Sequence, residues 1–184
     1  MEELSPTAYV ILGFVRKGAK SGYEIKALVD NSTRFFWAAS YGQIYPELKR
    51  LSEAGLIAGS EQPTGGRRRT VYEITVDGEE ELRAWLREPP RTFEMRDEGL
   101  LKLFFADALP REEAVAILRE MRAQRLAVNE RLRAIREMKL KGEVEDPFPL
   151  LVLEGGLEFT EWFADWCERM EARLLDSALD ERSS

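Results

Sequence analysis

The most informative segment of this sequence is Ser40-Tyr41-Gly42-Gln43-Ile44-Tyr45-Pro46-Glu47-Leu48-Lys49-Arg50-Leu51. Ser40 and Gln43 have the spacing of a capping box, in which each side chain bonds the backbone amide of the other at a helix start. Ile44, Leu48 and Leu51 then recur at helical spacing. Gly55 is a typical helix stop, and Leu56-Ile57 begin a strand. Pro46 removes one bond inside the helix, and we expect a bent first turn rather than a break.

The other side of this predicted helix is polar. With the apolar stripe inward, Gln43, Pro46, Lys49 and Arg50 face outward, and Tyr41 and Tyr45 lie at the flanks. An amide binds a base edge through two hydrogen bonds, and cations bind phosphate or guanine, so this face suits a nucleic-acid groove. A solvated amphipathic helix explains the same pattern without a ligand.

Two helices are predicted before this stretch. Ser5-Pro6 is an N-cap followed by a proline at the first helical position, and the helix ends at Gly18. Ser21-Gly22-Tyr23-Glu24 is a second capping box, and its helix frays by Asn31-Ser32. The aromatic loop Arg34-Phe35-Phe36-Trp37 is expected to form a hydrophobic lid over the small core.

A β-hairpin and a fourth helix are predicted after it. Segments 56–61 and 70–75 read as strands, and the residues between them include Pro63, Gly65-Gly66 and the run Arg67-Arg68-Arg69. Three adjacent arginines repel one another and favour a position beside a phosphate backbone. Thr75 caps a helix that ends before Pro89-Pro90.

Composition excludes several classes of protein. The 184 residues are 44% apolar and include no histidine and one cysteine, Cys167. Without histidine, Ser-His and Cys-His catalysis and most zinc sites are excluded, and we expect no cofactor and no metal. No run approaches the ~20 apolar residues of a membrane helix, and the first residues lack the basic-then-apolar pattern of a secretory signal, so neither is expected. One cysteine excludes a disulfide within the chain, so a cytoplasmic protein is expected.

Charge is unevenly distributed along the chain. The net charge is −7, yet residues 34–72 carry six cations against three anions. A locally basic patch on an acidic body fits the binding of one polyanion through one face.

Three helices followed by a hairpin with a cationic tip is the order of a winged helix-turn-helix. Over roughly residues 5–90 the chain resembles the PadR family of transcriptional regulators. The matching segments are Ser21–Ile25, Ser40–Pro46 with Leu48, Leu51 and Gly55–Ile57, and Arg68–Thr75 with Gly78. The resemblance implies DNA binding by this half and dimerisation through a C-terminal helical domain.

The second half is predicted to be helical. Pro89–Thr92 reads as a stiff joint, an apolar helix follows to Leu109, and a long helix runs from Pro110 to about Lys141. At ~1.5 Å per residue the long helix spans about 45 Å, too long to bury its stripe within one protomer, so it requires a partner. Its alternating Glu and Arg residues read as a solvated face. In the last helix, Gly155-Gly156 marks either a bend or a close helix crossing.

The predicted fold is therefore mainly α with a small β-hairpin. Residues 1–90 form a winged helix-turn-helix DNA-binding domain, and residues 91–184 form a helical, coiled-coil-like dimerisation domain. The predicted dimerisation residues, which ordinary core packing would also explain, are Leu118, Met121, Val128, Leu132, Ile135, Phe159, Trp162, Phe163, Trp166 and Met170.

The leading hypothesis for function is a homodimeric regulator, expected to repress, that reads a pseudo-palindromic operator in double-stranded DNA. Its predicted DNA-binding residues are Ser40, Tyr41, Gln43, Pro46, Lys49, Arg50, Arg67, Arg68 and Arg69. The alternative is a winged-helix module that binds protein without sequence-specific DNA binding, which the sequence pI near 5.0 favours slightly.

A third hypothesis adds a small aromatic effector, because some relatives in the family bind such compounds. Core packing explains the candidate residues equally well, and they are Trp85, Phe93, Phe104, Trp162 and Trp166. An enzyme is the weakest interpretation, since nothing in the sequence places a carboxylate where burial would raise its pKa.

Overall fold

The computed structural model of this chain describes residues 4–64, 67–91, 96–141 and 146–181, and it describes side chains outside 63–69 and 177–181. The chain divides into an N-terminal unit, residues 1–92, and a C-terminal unit, residues 93–184. The N-terminal unit holds α1 (Pro6–Arg16), α2 (Gly22–Asp30), α3 (Tyr41–Glu53), β1 (Ile57–Thr64), β2 (Arg67–Ile74) and α4 (Val76–Arg87), with a 3₁₀ turn at Thr33–Phe35.

Side-chain caps begin three of these helices where the sequence predicted them. The Ser5 hydroxyl accepts a hydrogen bond from the Ala8 amide at 3.1 Å. The Ser21 hydroxyl accepts from the Glu24 amide at 3.3 Å. Thr75 caps α4 through the Gly78 amide at 3.0 Å. Each cap pairs an amide that the first helical turn leaves without an intrahelical partner, which fixes where the helix begins.

One hydrophobic core holds the N-terminal unit together. The predicted inward stripe of α3 is confirmed, because Ile44, Leu48 and Leu51 are each 0% exposed. They pack with buried residues of α1, α2, the start of β1 and α4, among them Ile11, Leu12, Ile25, Val29, Ile57 and Leu82. Burial of apolar surface at about 25 cal/mol per Å² is the main force that fixes the orientation of α3 in this unit.

The hairpin is longer than the sequence suggested. β1 and β2 pair antiparallel from Ile57 opposite Ile74 to Thr64 opposite Arg67, so both strands extend further towards the tip than segments 56–61 and 70–75. Pro63 is tolerated inside β1 because each strand of a two-stranded sheet keeps one free edge, where no backbone donor is required. The strands therefore carry the chain to the arginine run without a long loop.

The C-terminal unit contains α5 (Glu98–Phe104), α6 (Arg111–Leu140) and α7 (Phe148–Glu181), with a 3₁₀ turn at Ala106–Ala108. Asp97 caps α5 by accepting from the Leu100 amide at 3.0 Å. The expectation of one apolar helix running to Leu109 was wrong, since α5 ends at Phe104 and the tighter 3₁₀ turn follows it.

The long helix buries much of its apolar stripe within the protomer, more than we expected, although Val128 and Ile135 are only partly buried and Met138 is 64% exposed. α7 packs along α6 and buries Leu118, Met121 and Leu132 of α6 together with Phe163 and Cys167 of α7. α7 is 34 residues long, so it runs beside most of α6 and covers much of the apolar stripe.

Ion pairs connect α6 to α7. Arg119 binds Glu171 at 2.7 Å, and Arg122 binds Glu168 at 3.0 Å. Arg133 pairs with Glu161 in the same way. Because later residues of α6 pair with earlier residues of α7, the helices are antiparallel. Arg119, Arg122 and Arg133 are therefore interhelix partners as well as part of an exposed, charged face.

A buried polar group lies between α6 and α7. Asn129 is 5% exposed, and its side-chain NH₂ group donates to the Thr160 hydroxyl at 2.8 Å. Its carbonyl oxygen accepts from Arg133 Nε at 2.7 Å. A slip of one helix along the other would leave the buried Asn129 NH₂ group without its partners on α7, so this contact helps to specify the register.

Candidate nucleic-acid interface

The outward side of α3 is exposed along its whole length. We define the reading face as Tyr41, Gln43, Tyr45, Pro46 and Lys49, all of which are exposed. Tyr41 and Tyr45 are 44% and 52% exposed, and their rings stack with centroids 6.1 Å apart. Because the opposite stripe is wholly buried, these side chains are held at the surface of the unit with little freedom to turn inward.

Gln43 serves the helix cap as well as the reading face. Its side-chain oxygen Oε1 accepts from the Ser40 amide at 2.9 Å and from the Ser40 hydroxyl at 3.1 Å. The side chain is thereby held against the first turn of α3, with its NH₂ group as the remaining donor. A base that offers an acceptor, such as adenine N7 or guanine O6, suits that donor.

The two cations of α3 differ in their surroundings. Lys49 is exposed and lies 3.7 Å from Glu53 in an i,i+4 pair. Arg50 is half-buried, and its guanidinium lies 3.8 Å from Glu47. The expected outward position therefore holds for Lys49, whereas Arg50 lies at the edge of the reading face.

Glu47 connects the centre of α3 to the start of α1. Its Oε1 accepts a hydrogen bond of 2.6 Å from the Ser5 hydroxyl. The Glu47 side chain is only 16% exposed, so this bond is largely shielded from solvent. The sequence did not predict this tie, because residues 42 positions apart are brought together only by the packing of α1 on α3.

α2 packs against the tyrosines of the reading face. A Cβ added at Gly22 would lie 2.8 Å from Tyr45 Cε1, so α2 and α3 cross closely at this point. Further along α2, Lys26 Nζ lies 5.6 Å from the centre of the Tyr41 ring. Tyr23, at the start of α2, is 69% exposed. The sequence patterns did not predict Lys26 and Tyr23 as residues of this region. The capping box Ser21–Glu24 is the signal that could have placed them near an exposed helix start.

The hairpin is anchored to the helices at its base. The Tyr72 amide donates to the Lys20 carbonyl at 3.0 Å, and Lys20 Nζ lies 3.2 Å from Glu73. Arg67, Arg68 and Arg69 lie in β2 towards the tip, paired with Thr64, Pro63 and Gln62. Their side chains lie outside those the structure describes, so their predicted contact with phosphate stays a prediction.

The aromatic loop before α3 differs from the expected lid. Phe36 is 63% exposed and Trp37 is 40% exposed, so neither ring is enclosed over the core. Trp37 Nε1 lies 3.5 Å from the Thr7 hydroxyl of α1, which holds the indole at the surface. A loop of ten residues between α2 and α3 provides too little apolar surface around these rings to bury them.

The ten predicted dimerisation residues fall into three groups. Leu118, Met121, Leu132 and Phe163 are between 1% and 5% exposed in the protomer, so they form its core and offer no surface to a partner. Phe159 and Trp162 are 41% and 55% exposed on α7. Four others are partly buried, and these are Val128, Ile135, Trp166 and Met170.

The five candidate effector residues have separate surroundings. Trp85 of α4 stacks on Tyr9 with ring centroids 4.4 Å apart, which is a structural contact of the N-terminal unit. Phe104 ends α5 and is 80% exposed, while Trp166 packs at the edge of the α6–α7 core. Trp162 is the exposed residue noted above, and Phe93 lies outside the described residues.

The part of the chain that the structure describes holds neither a metal-binding cluster nor a membrane-spanning helix. No cluster of three or more carboxylate or cysteine side chains there is arranged to hold a metal ion. None of the described helices combines the length and apolar character needed to cross a membrane.

Comparison with known proteins relates both units to characterised families. Residues 11–84 match the transcriptional regulator PadR-like family, and residues 95–174 match a family described as virulence activator alpha C-term. The chain is similar to the negative transcriptional regulator PadR of Bacillus subtilis (strain 168), with 34% identity over 175 residues that cover 90% of this chain and 96% of the relative.

Two solved structures of the Bacillus subtilis protein are similar to the whole chain. Its complex with operator DNA has a TM-score of 0.82 at 34% identity, covering 91% of this chain and 98% of that chain. Its complex with p-coumaric acid has a TM-score of 0.75 at 31% identity, covering 94% and 98%.

Proposed function

This chain belongs to the PadR-like family of transcriptional regulators, and we propose that it is a homodimeric repressor that binds a pseudo-palindromic DNA operator through α3 and the hairpin. The observation that carries this proposal is the division of α3 into two sides. Ile44, Leu48 and Leu51 are fully buried, and an amide, a lysine and two tyrosines are exposed opposite them. A helix with such a face fits the major groove.

Each residue of the interface receives a role from its chemistry. Gln43 contacts a base edge through its amide donor. Lys49 and Tyr41 bind phosphate oxygens, while Ser40 and Pro46 border the groove at the first turns of α3. Arg50, at the edge of the reading face, reaches either a base or a phosphate. Arg67, Arg68 and Arg69 follow the backbone beside the groove entered by α3.

Two copies of α3 are needed to read a two-fold symmetric operator. A dimer places its two reading helices in successive major grooves, about one helical turn or 34–36 Å apart. We propose that the exposed apolar residues of α7 form the dimer contact, and that the buried residues of the predicted set support α7 from within the protomer.

The test is selection of bound sequences from a random DNA pool, followed by gel shifts on the selected site. The proposal requires enrichment of one motif with two inverted half-sites and a strong loss of affinity with rising salt. Lys49→Ala should weaken binding and reduce the slope of log K against log salt by about 0.9. The matched control is Arg83→Ala, which removes the cation of the Arg83–Glu79 pair on α4.

Three outcomes would contradict the proposal. No enrichment from the pool, or affinity that is independent of salt, would favour a protein-binding module instead. An equal loss of affinity in Arg83→Ala and Lys49→Ala would assign the effect to general charge rather than to α3.

We further propose that a small aromatic acid releases the DNA. Support comes from the complex of the Bacillus subtilis relative with p-coumaric acid and from the exposed aromatic side chains of this chain. The candidate residues are Trp85, Phe93, Phe104, Trp162 and Trp166. A panel of phenolic acids should quench tryptophan fluorescence and release the labelled operator over the same concentration range. Quenching without release, or no response to any compound, would reject this part of the proposal.

In this proposal the protein acts in the cytoplasm on chromosomal DNA, and no catalytic step is involved. The comparisons assign the chain to a family of transcriptional regulators.

A further inference from the structure

α7 carries two apolar faces that point in different directions. The inner face packs on α6, and its residues Leu153, Leu157, Phe163 and Cys167 are between 0% and 8% exposed. The outer face consists of five large side chains with high exposure. They are Phe148 at 71%, Leu151 at 60%, Val152 at 53%, Phe159 at 41% and Trp162 at 55%.

The outer face is a continuous stripe rather than a set of scattered residues. At about 100° of rotation per residue, its five side chains fall within an arc of about 100° on α7. Positions 148, 152, 155, 159 and 162 follow the alternating steps of four and three that bring side chains of two paired helices together. An exposed stripe of this size marks an interaction surface.

Gly155 lies at the centre of this stripe. Phe148 and Trp162 are each seven residues from it, and Leu151 and Phe159 are each four residues from it. The neighbouring Gly156 has a different environment, because a Cβ there would lie 3.3 Å from Leu132 Cδ1 of α6. A Cβ at Gly155 would have no atom within 4 Å. Glycine is among the least favourable helix residues, so packing within the protomer explains Gly156 but not Gly155.

A stripe that is symmetric about one residue is complementary to a reversed copy of itself. We propose that a second copy of this chain covers the outer face, with the two α7 helices antiparallel and the two-fold axis passing through Gly155. Phe159 then faces Leu151 of the partner subunit, and Trp162 faces Phe148 of the partner subunit. The missing side chain at Gly155 allows the two backbones to approach at the axis.

Two carboxylates beside the stripe already have partners within the protomer. Glu154 lies 3.9 Å from Arg136, and Glu161 pairs with Arg133, so both carboxylates have a cation on α6 of their own protomer. Neither carboxylate therefore adds an unpaired negative charge where two copies of α7 meet. The inference rests on the dimer of the proposed function, and it deepens that function by naming the axis and the contacts.

The experiment is cysteine cross-linking in the full-length protein. The single native cysteine, Cys167, is buried, and a Cys167→Ala background removes it from the reaction. Gly155→Cys should form a disulfide-linked dimer under mild oxidation, because facing Cα atoms at a close helix crossing come within the ~7 Å that a disulfide spans. Cysteine tolerates this position, since it meets no neighbouring atom and is a better helix former than glycine.

Paired variants test the antiparallel direction independently of Gly155. Phe148→Cys alone should not cross-link, because its two copies would be about 21 Å apart along the helices. A mixture of Phe148→Cys with Trp162→Cys should cross-link. Self-linking of Phe148→Cys would establish a parallel pair and overturn the proposal. Absence of both the Gly155→Cys and the mixed product, in a protein that sediments as a dimer, would place the dimer contact elsewhere.

A bulky substitution gives a second, equilibrium measurement. Gly155→Leu should raise the dimer dissociation constant at least tenfold in analytical ultracentrifugation. Gly13→Ala in α1, a helical position with equally open surroundings, should leave it unchanged. If Gly155→Leu stays fully dimeric and still binds the selected operator, the axis is assigned wrongly while the proposed function stands. A wild-type protein that binds no DNA would instead refute the function and leave the cross-linking result unaffected.

Discussion

The Ser5 hydroxyl donates a hydrogen bond of 2.6 Å to the Glu47 carboxylate, and so the N-cap residue of α1 holds the middle of α3. Ser5 performs two tasks, since its oxygen also accepts from the Ala8 amide at 3.1 Å. The orientation of the reading face therefore depends on a contact made at the start of the chain as well as on the core beneath α3.

Replacing Ser5 should destabilise the N-terminal unit. Ser5→Ala removes a helix cap and leaves the shielded Glu47 oxygen without its donor, which together cost about 1–2 kcal/mol. Urea unfolding followed by circular dichroism measures this loss. Ser32→Ala is the comparison, because the Ser32 hydroxyl bonds only its local Leu28 carbonyl at the end of α2. Equal stability of Ser5→Ala and wild type would show that the tie to Glu47 has no energetic importance.

Gln43→Glu should separate the cap from the reading function. Glutamate keeps an acceptor oxygen for the Ser40 amide and hydroxyl, so the start of α3 should stay within about 0.5 kcal/mol of wild type. It lacks the NH₂ donor, so affinity for the selected operator should fall at least about tenfold, and preference should change at one base position per half-site. Selection from a random pool with this variant provides the measurement.

Gln43→Ala is the matched control, because it removes both the cap and the donor. It should lose DNA affinity to a similar degree and also lose about 1 kcal/mol of stability. If Gln43→Glu bound the operator with unchanged sequence preference, Gln43 would be a capping residue only.

Arg68 and Arg69 of the hairpin should affect binding to all DNA sequences alike. Replacing Arg68 and Arg69 by alanine should weaken binding to specific and non-specific duplex in parallel, because phosphate contacts do not depend on sequence. Each lost phosphate contact should lower the slope of log K against log salt by about 0.9. Gel shifts between 50 and 200 mM salt, roughly the range in which such contacts dominate, are the measurement. A change in sequence preference without a change in slope would contradict this role.

Gly78 should not tolerate even one additional carbon. A Cβ there would lie 2.0 Å from the Leu56 carbonyl oxygen, a backbone atom that cannot move without shifting β1. Gly78→Ala should therefore cost about 3 kcal/mol or more, although alanine is the better helix former. Gly13→Ala should change the stability in the opposite direction. Its Cβ would have no atom within 4 Å, so alanine should stabilise α1 by up to about 1 kcal/mol. Thermal unfolding of both variants distinguishes crowding from helix propensity.

Local patterns predicted the N-terminal unit well. Ser5, Ser21 and Thr75 were recognised as caps because a cap depends on residues three positions apart, and Ile44, Leu48 and Leu51 were placed inward by their spacing alone. Contacts between distant residues could not be read in this way. Glu47 meets Ser5, and Lys20 meets Glu73, only after the helices and the hairpin have packed together.

The C-terminal unit shows a second reason for failure. α7 has apolar residues on two faces, so periodicity does not tell which face meets α6 and which stays exposed. Phe163 was therefore grouped with Phe159 and Trp162, although it is 2% exposed and they lie on the outer face. The pairs that Arg119 and Arg122 form could not be predicted either, since their carboxylate partners belong to another helix.

Tyr9 should make the stability of the N-terminal unit fall at high pH. Burial, and then the hydrogen bond and charge of Glu81, raise the pKa of its phenol to about 12 from an ordinary value of 10.0. The hydroxyl donates to Glu81 at 2.9 Å, and the ring is 9% exposed and stacked on Trp85. The unfolded chain loses this proton near pH 10, whereas the folded chain keeps it until about pH 12. The contribution of Tyr9 is therefore complete below pH 10 and decreases as the pH rises from 10 to 12.

The variant Tyr9→Phe isolates this effect. It lacks the hydrogen bond and should be about 1 kcal/mol less stable than wild type at pH 8. It has no proton to lose, so the advantage of wild type should shrink above pH 10, pass through zero and then reverse. The total change would approach about 2.7 kcal/mol if the whole range to pH 12 could be reached. Urea unfolding of both proteins at half-unit steps from pH 8 to 11 measures the difference, and the other tyrosines and lysines cancel because both proteins contain them. A difference that stays constant across this range would show that the Tyr9 phenol titrates normally in the folded protein.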